Sequence, residues 1–286
     1  MFFKDIRDYQ ILFLGSFLIL GIGTRDWTLK PELIGIAIAT CLTMQCLLSV
    51  VTSKSQGFQD KIQLSNLRSA LITGLGLSLL LRADHWTTMA LAAAVAITSK
   101  FILHIGHKHF FNPGNFGIIS ALVLTGDAWV SPGQWGDEWW YGLLFIGTGG
   151  MILQRIGRWD TTAAFLGAYS LLEAVRNLWL GWTWDVYVHR LMSGSLLLFA
   201  LFMITDPRSI PNAKLGRIIW ALCIAILTFI LRNYFYLSTA VFWSLFALSP
   251  LTILIDYLWS APRFAWHPEP RGREKNDLLM MNEVSI

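Results

Sequence analysis

Apolar residues run through this chain in blocks separated by short polar punctuation, and the blocks set the elements. Ten segments read as membrane helices: residues 9–24, 32–52, 66–82, 86–104, 113–129, 139–156, 161–178, 190–206, 215–232 and 237–259. A hydrocarbon core of ~30 Å takes about 20 apolar residues per helix, and fewer where protein shields the helix. Segments 66–82 and 113–129 are short or polar for a lipid-facing helix. They are expected inside the bundle, or broken by loops that enter the membrane. The first apolar run, residues 11–23, follows Lys4 and Arg7 as in a signal peptide, but no small-residue cleavage site succeeds it. It is read as a retained first helix. The predicted fold class is all-α, a polytopic membrane domain over residues 1–261 with a cytoplasmic polar tail at 262–286.

Composition removes the soluble alternatives. Of 286 residues, 55% are hydrophobic and 14% charged, with mean hydropathy +0.53. A soluble chain carries about a quarter charged residues, so no soluble catalytic domain is expected. An inside N-terminus puts sixteen of the 22 Lys and Arg on one side. That asymmetry predicts both termini in the cytoplasm and a multi-pass protein of the inner (plasma) membrane. The opposite side collects Trp27, Trp86, Trp129, Trp135, Trp139, Trp140, Trp179, Trp182 and Trp184, as an interfacial belt does. The pI near 9.0 therefore belongs to cytoplasmic loops facing lipid, and nucleic acid is not an expected partner. Cys41, Cys46 and Cys223 lie in apolar stretches without a CxxC pair. They read as small core residues, not ligands of zinc or an iron–sulfur cluster.

A weak self-match at an offset of about 126 residues lays SALITGLGLSLLL, from Ser69, over SLLLFALFMITDP, from Ser195. It also lays FGIISALVL, from Phe116, over FWSLFALSPL, from Phe242. This shift of five spans makes the two halves inverted repeats, about residues 9–130 and 138–259. Inverted repeats place a site at their interface, lined by interrupted helices. Two polar interruptions fit that scheme, HKHFFNPGNFG at residues 107–117 and TDPRSIPNAK at 205–214.

In the first, Pro113 forbids helix at Asn112 and starts the next one, and Gly114 allows close backbone approach. Asn112 and Asn115 each carry a donor and an acceptor, suited to the edge of a flavin or quinone ring. The same residues equally make an ordinary turn and helix start. In the second, Asp206 is either a cap for the following turn or, as an acid ending an apolar run, a functional group. Arg208, Lys214 and Arg217 stand ready to neutralise it. His104, His107 and His109 lack the carboxylate or cysteine that would complete a metal set. Glu173 and Arg176, three apart on one helix, are expected to pair, and Asp256 is read as a structural pair or a lining of an ion path.

These residues resemble the RnfD/NqrB family. LMSGSLLLFALFMITDPRSIP, residues 191–211, resembles the family's helix-8 signature through Ser193, Gly194, Thr205, Asp206, Pro207 and Ser209. HKHFFNPGNFG resembles its FNPA segment, SALITGLGLSLLL its third helix, and PLTILID the end of its last helix. Lys100 falls where that family has a lysine ahead of the FNP loop. The resemblance covers about residues 65–258 and implies ten helices in two inverted repeats, with an electron-transfer role. It further implies a non-covalent riboflavin or FMN on the cytoplasmic side, contacted by Asn112, Pro113 and Asn115, with Ser69, Lys100 and Asp206 nearby. Other redox or membrane subunits are the implied partners. A second, covalent FMN on a threonine of the outer loop is not expected, because DAWVSPGQWGDEW has no threonine. The chain is thus similar to shortened, stand-alone members.

Two other readings stay open on the sequence. A small-solute transporter or channel of urea-transporter-like architecture needs a continuous polar pore, whereas intramembrane polar residues here are few and mostly terminal. A cofactor-free assembly subunit would use the SG pair and the small residues of the third, fourth and eighth segments only for helix packing.

Overall fold

A computed structural model describes residues 5–25, 30–56, 64–106, 108–133 and 139–266. Helix α1 (Ile6–Leu20) passes into a π-helical turn, Gly21–Arg25, and is followed by α2 (Pro31–Gln56), α3 (Leu64–Leu80), α4 (Trp86–Ile102) and α5 (Pro113–Leu124). Then come α6 (Trp140–Ile156), α7 (Trp159–Trp179), the short α8 (Trp184–Leu191) and α9 (Gly194–Leu198), which continues as a π-helical segment, Phe199–Met203. Helices α10 (Lys214–Asn233), α11 (Ala240–Leu248) and α12 (Leu251–Leu258) complete the order, with α11 and α12 bent by 50°. All ten apolar segments are helical over most of their length. Among the described residues, three helices are individually long and apolar enough to cross a membrane, and the bent pair makes a fourth. Lys4, Trp27, Lys61, His107, Trp135, Arg271, Arg273 and Lys275, and the tail from residue 267, lie outside the described residues.

The polarity of the surface is that of a multi-pass integral membrane protein. Helix α7 turns Leu171, Val175 and Leu178 outward while burying Asp160, Glu173 and Asn177. In water that arrangement would expose an apolar stripe and bury charge; in lipid it is the favourable one. Cys41 is buried as the sequence suggested, but Cys223 is exposed on α10 and not part of the core.

Two small antiparallel ladders supplement the helices. Leu81–Ala83 (β1) pairs with Ala128–Val130 (β4), and His104–Ile105 (β2) with Lys108–His109 (β3). Each forms where a helix ends and its backbone groups need partners. Gly106, with φ +60, makes the turn of the second ladder. Asp127 holds the first ladder against α4, accepting from the Thr88 hydroxyl at 2.6 Å and the His85 amide at 2.9 Å.

Helices α1 to α5 pack as one group, with α3 against α1 and α2, and α4 against α2 and α5. Helix α6 joins α1 to α9, while α10 packs on α7 and α11, and α5 meets α11. The α4–α5 crossing is close because of Gly117. A Cβ there would sit 2.5 Å from the Ala92 carbonyl oxygen and 2.9 Å from the Ala96 Cβ. Small residues at such crossings let two backbones approach. Gly117→Val is expected to destabilise the protein by about 1–3 kcal/mol through overpacking, seen as a lower midpoint of thermal unfolding in detergent.

The expected Glu173–Arg176 pair does not form. Glu173 instead accepts from Arg190 at 2.9 Å and from the Asn233 amide at 2.8 Å, and the Arg176 guanidinium lies over Trp182 at 4.6 Å. Helices α8 and α10 bring partners that sequence spacing on α7 does not reveal. Asp256 is tied to Lys108 and to the Asn212 backbone and side-chain amides. That structural cluster pins the end of α12 to the loop ahead of α10.

Candidate functional site: a cavity where two polar loops meet

Three helical elements of the bundle are broken or short, and they meet at one place. Helix α5 has 12 residues, a length of about 18 Å at 1.5 Å per residue, too short for the hydrocarbon core. Helix α9 and its π-helical continuation have 5 residues each, and α11 and α12 are bent apart. Breaks leave backbone carbonyls and amides without helical partners, which is tolerable in a membrane only where protein supplies substitutes.

Side chains supply them here. Asn112 is extended (φ −67°, ψ 123°) and caps α5, its Oδ1 accepting from the Asn115 amide at 3.0 Å, with Pro113 in the first turn. Its Nδ2 donates to the Met203 carbonyl at 3.2 Å. One amide thus joins the FNP loop to the end of the π-helical segment. That segment carries the i−5 bond from Ile204 to Phe199, 2.9 Å. Thr162 donates to the Ala200 carbonyl at 2.6 Å and Thr205 to that of Leu201 at 2.9 Å. Trp220 donates to the Leu248 carbonyl, 2.9 Å, at the α11–α12 bend.

Between these breaks and α1, α3 and α6 lies a cavity open at one end. Its lining on α3 runs from Ser69 to Leu80, a rise of about 16 Å. The deep walls are apolar: Leu14, Ile72, Leu79, Leu80, Ile152, Leu198, Leu201 and Phe202. The mouth is polar, lined by Arg7, Gln10, Ser69, His109, Asn112, Thr205, Asp206 and Arg208, with Trp266 at its edge. An amphipathic cavity with few convergent polar groups suits a planar organic ligand better than a bare ion.

The structure therefore brings Ser69, Asn112, Pro113 and Asp206 into the lining of one cavity. Lys100 stands behind it, donating to the Ser69 hydroxyl at 3.2 Å. Asn115 is elsewhere: fully buried, it donates to the Phe242 carbonyl of α11 at 3.1 Å, and its Oδ1 has no partner. Asn112 lines the wall with its amide already committed at both ends. Asp206 caps its own turn, accepting from the Arg208 amide at 3.2 Å. Its other oxygen faces His109, with Nε2 at 3.6 Å. Arg217 does not neutralise Asp206; it forms a buried pair with Asp160 at 2.6 Å.

Sequence reasoning missed Arg7, Gln10, His109 and Trp266. In the sequence His109 is one of three histidines without a metal set. In the structure it is 7% exposed with no hydrogen bond to Nε2. A buried nitrogen left so costs about 1–3 kcal/mol, a penalty that a bound acceptor removes. Gln10, a lone amide in the apolar α1, was the available signal for that side of the cavity.

The fold and cavity define a polytopic α-helical membrane protein with an amphipathic cleft at the junction of broken helices. The sequence profile of the NQR2, RnfD, RnfE family matches residues 117–265, just over half of the chain, and the chain belongs to that family. Its relatives include the D component of the ion-translocating oxidoreductase complex from several bacteria. The chain is 31% identical over 136 residues to that protein of Actinobacillus pleuropneumoniae serotype 5b (strain L20), covering 47% of this chain and 39% of the relative. The same-named protein of Vibrio vulnificus (strain YJ016) is 31% identical over 154 residues, 53% of this chain and 42% of the relative. That of Halorhodospira halophila (strain DSM 244 / SL1) is 30% identical over 146 residues, 50% of this chain and 39% of the relative. The matched part thus spans about two fifths of the length of these relatives.

Proposed function

We propose that this chain is an electron-transfer subunit of an ion-translocating membrane oxidoreductase, and that its cavity holds a non-covalent flavin, riboflavin or FMN. The observation that carries the reading is the buried His109 Nε2, 3.6 Å from Asp206 and without a hydrogen bond, in the lining of a largely apolar cavity in a chain of this family. The relatives' shared name supplies the assembly: other redox and membrane subunits would cover part of the exposed apolar surface, and lipid the remainder. The cavity mouth would face the cytoplasm, both termini on that side, in the plasma membrane. Ten helices in two inverted repeats are the proposed arrangement. Its support is that Asn115 of α5 bonds α11 at Phe242, the segments that the 126-residue offset relates.

The residues fit such a group. Apolar walls on α3, α6 and α9 would take the ring, and His109 and Gln10 would present polar atoms to its edge. Ser69, backed by Lys100, adds a hydroxyl, and Asn112 keeps the loop in shape without itself being free to bind. A bound flavin supplies one- or two-electron transfer, its potential set by such hydrogen bonds and charges. The stretch from Asp127 to Trp139 has no threonine, so no phosphoester attachment of the family's type is proposed, and coupling to Na⁺ or H⁺ movement is assigned to the assembled complex. The test is the visible spectrum of the purified protein in detergent. Flavin bands that bleach with dithionite and return in air are expected. A colourless protein that takes up neither riboflavin nor FMN would sink the reading.

A further inference from the structure

The segment after α12 does not leave the bundle directly. Its aromatic residues return to the cavity mouth. Phe264 lies beneath the Arg158 guanidinium at 5.5 Å, and Trp266 packs edge-on against Phe264 at 4.9 Å. The Trp266 indole is covered by Arg7 at 4.6 Å and forms part of the cavity lining. Arg7 is itself fixed, 3% exposed and held through Nε and Nη2 by both oxygens of Asp5. Asp5 in turn is near Arg68 of α3, at 3.5 Å. A fixed guanidinium plate therefore backs an indole that lines the cavity. His109 lines the same cavity, buried, with Nε2 without a hydrogen bond and 3.6 Å from the Asp206 carboxylate.

We propose that Trp266 and His109 are ligand contacts of this cavity. The indole, on the face that Arg7 leaves uncovered, stacks on a planar heteroaromatic ring, and His109 Nε2 hydrogen-bonds the edge of that ring. The proposal rests on the flavin reading and adds to it two residues whose positions the FNP and TDP motifs do not include. Trp266 falls one residue past the stretch that matches the family. Stacking geometry selects for a flat ring over a flexible lipid chain, because an aromatic face rewards only a ligand that can lie parallel to it. The Asp206 carboxylate, 3.6 Å from Nε2, is too far to complete a hydrogen bond there, and an acceptor atom on the ring edge takes the hydrogen bond from Nε2 instead.

The experiment titrates full-length apoprotein in detergent with riboflavin, reading flavin fluorescence. In the wild type, bound riboflavin is expected to be strongly quenched by the indole. Trp266→Leu should restore emission of the bound flavin and weaken binding about two- to tenfold, the range that aromatic pairing supplies, while Trp266→Phe keeps most of the affinity. His109→Leu should weaken binding about tenfold, as loss of a buried hydrogen bond does, without restoring emission. Equal unfolding midpoints for the variants and wild type separate contact from fold. If Trp266→Leu binds and quenches as the wild type does, the stacking role is wrong while the flavin site stands. If wild-type apoprotein binds no riboflavin, the flavin reading fails, and this proposal with it.

Discussion

Arg217→Met is expected to lower the stability of the protein by about 3–5 kcal/mol, the penalty for stranding one member of a buried ion pair. Both side chains are 6% exposed, and Arg217 grips Asp160 through two hydrogen bonds at 2.6 and 3.2 Å while donating to the Asn212 carbonyl at 2.6 Å. Without the guanidinium, the Asp160 carboxylate keeps the Thr161 amide at 2.8 Å and its hydroxyl at 3.2 Å. Attraction between the two charges is not the main quantity at stake. Desolvation of the survivor is, so removing both charges with Asp160→Leu and Arg217→Met should recover most of the loss. Thermal unfolding in detergent, followed by tryptophan emission, checks this; a double variant as unstable as the single one would contradict it. The pair joins α7 to α10, and its failure would loosen the second half of the bundle.

Asn112→Ala is expected to destabilise by about 2–3 kcal/mol, combining a lost helix cap of about 1 kcal/mol with an orphaned Met203 carbonyl. Asn112→Ser restores the cap without reaching Met203 and should recover about half. The two variants separate roles that the FNP motif merges, starting α5 and tying it to the π-helical segment. Because both loops line the cavity, Asn112→Ala should also weaken flavin binding, although the amide is committed to the protein. Wild-type stability in Asn112→Ala would mean that the clamp between the loops contributes nothing.

The helices were legible because their signal is local. Runs of apolar residues marked all the helices but the short α8, Trp184–Leu191, which lies mostly between two segments, and the Asn-Pro pair marked the start of α5. The bend at Pro250 fell inside one continuous apolar run, 237–259, with nothing to divide it but the proline. Site residues were legible only where a motif marked them. Ser69, Asn112, Pro113 and Asp206 line one cavity, as the order of the two loops suggested, but the spacing that singled out Asn115 could not show that its amide turns to α11. Partners across the fold left no local trace. Glu173 finds Arg190 and Asn233 instead of its neighbour Arg176, and Arg217 finds Asp160 instead of Asp206. Trp266 was hidden by composition, since the polar character of the tail suggested departure from the bundle just where aromatic residues bring the chain back.

Acid precipitation of the purified protein, with flavin then measured in the supernatant and on the washed polypeptide, tests the central claim most directly. The expected result is riboflavin or FMN released in an amount equimolar with the chain, and none left on the polypeptide. A colourless supernatant, or flavin that stays attached to the denatured chain, would contradict it.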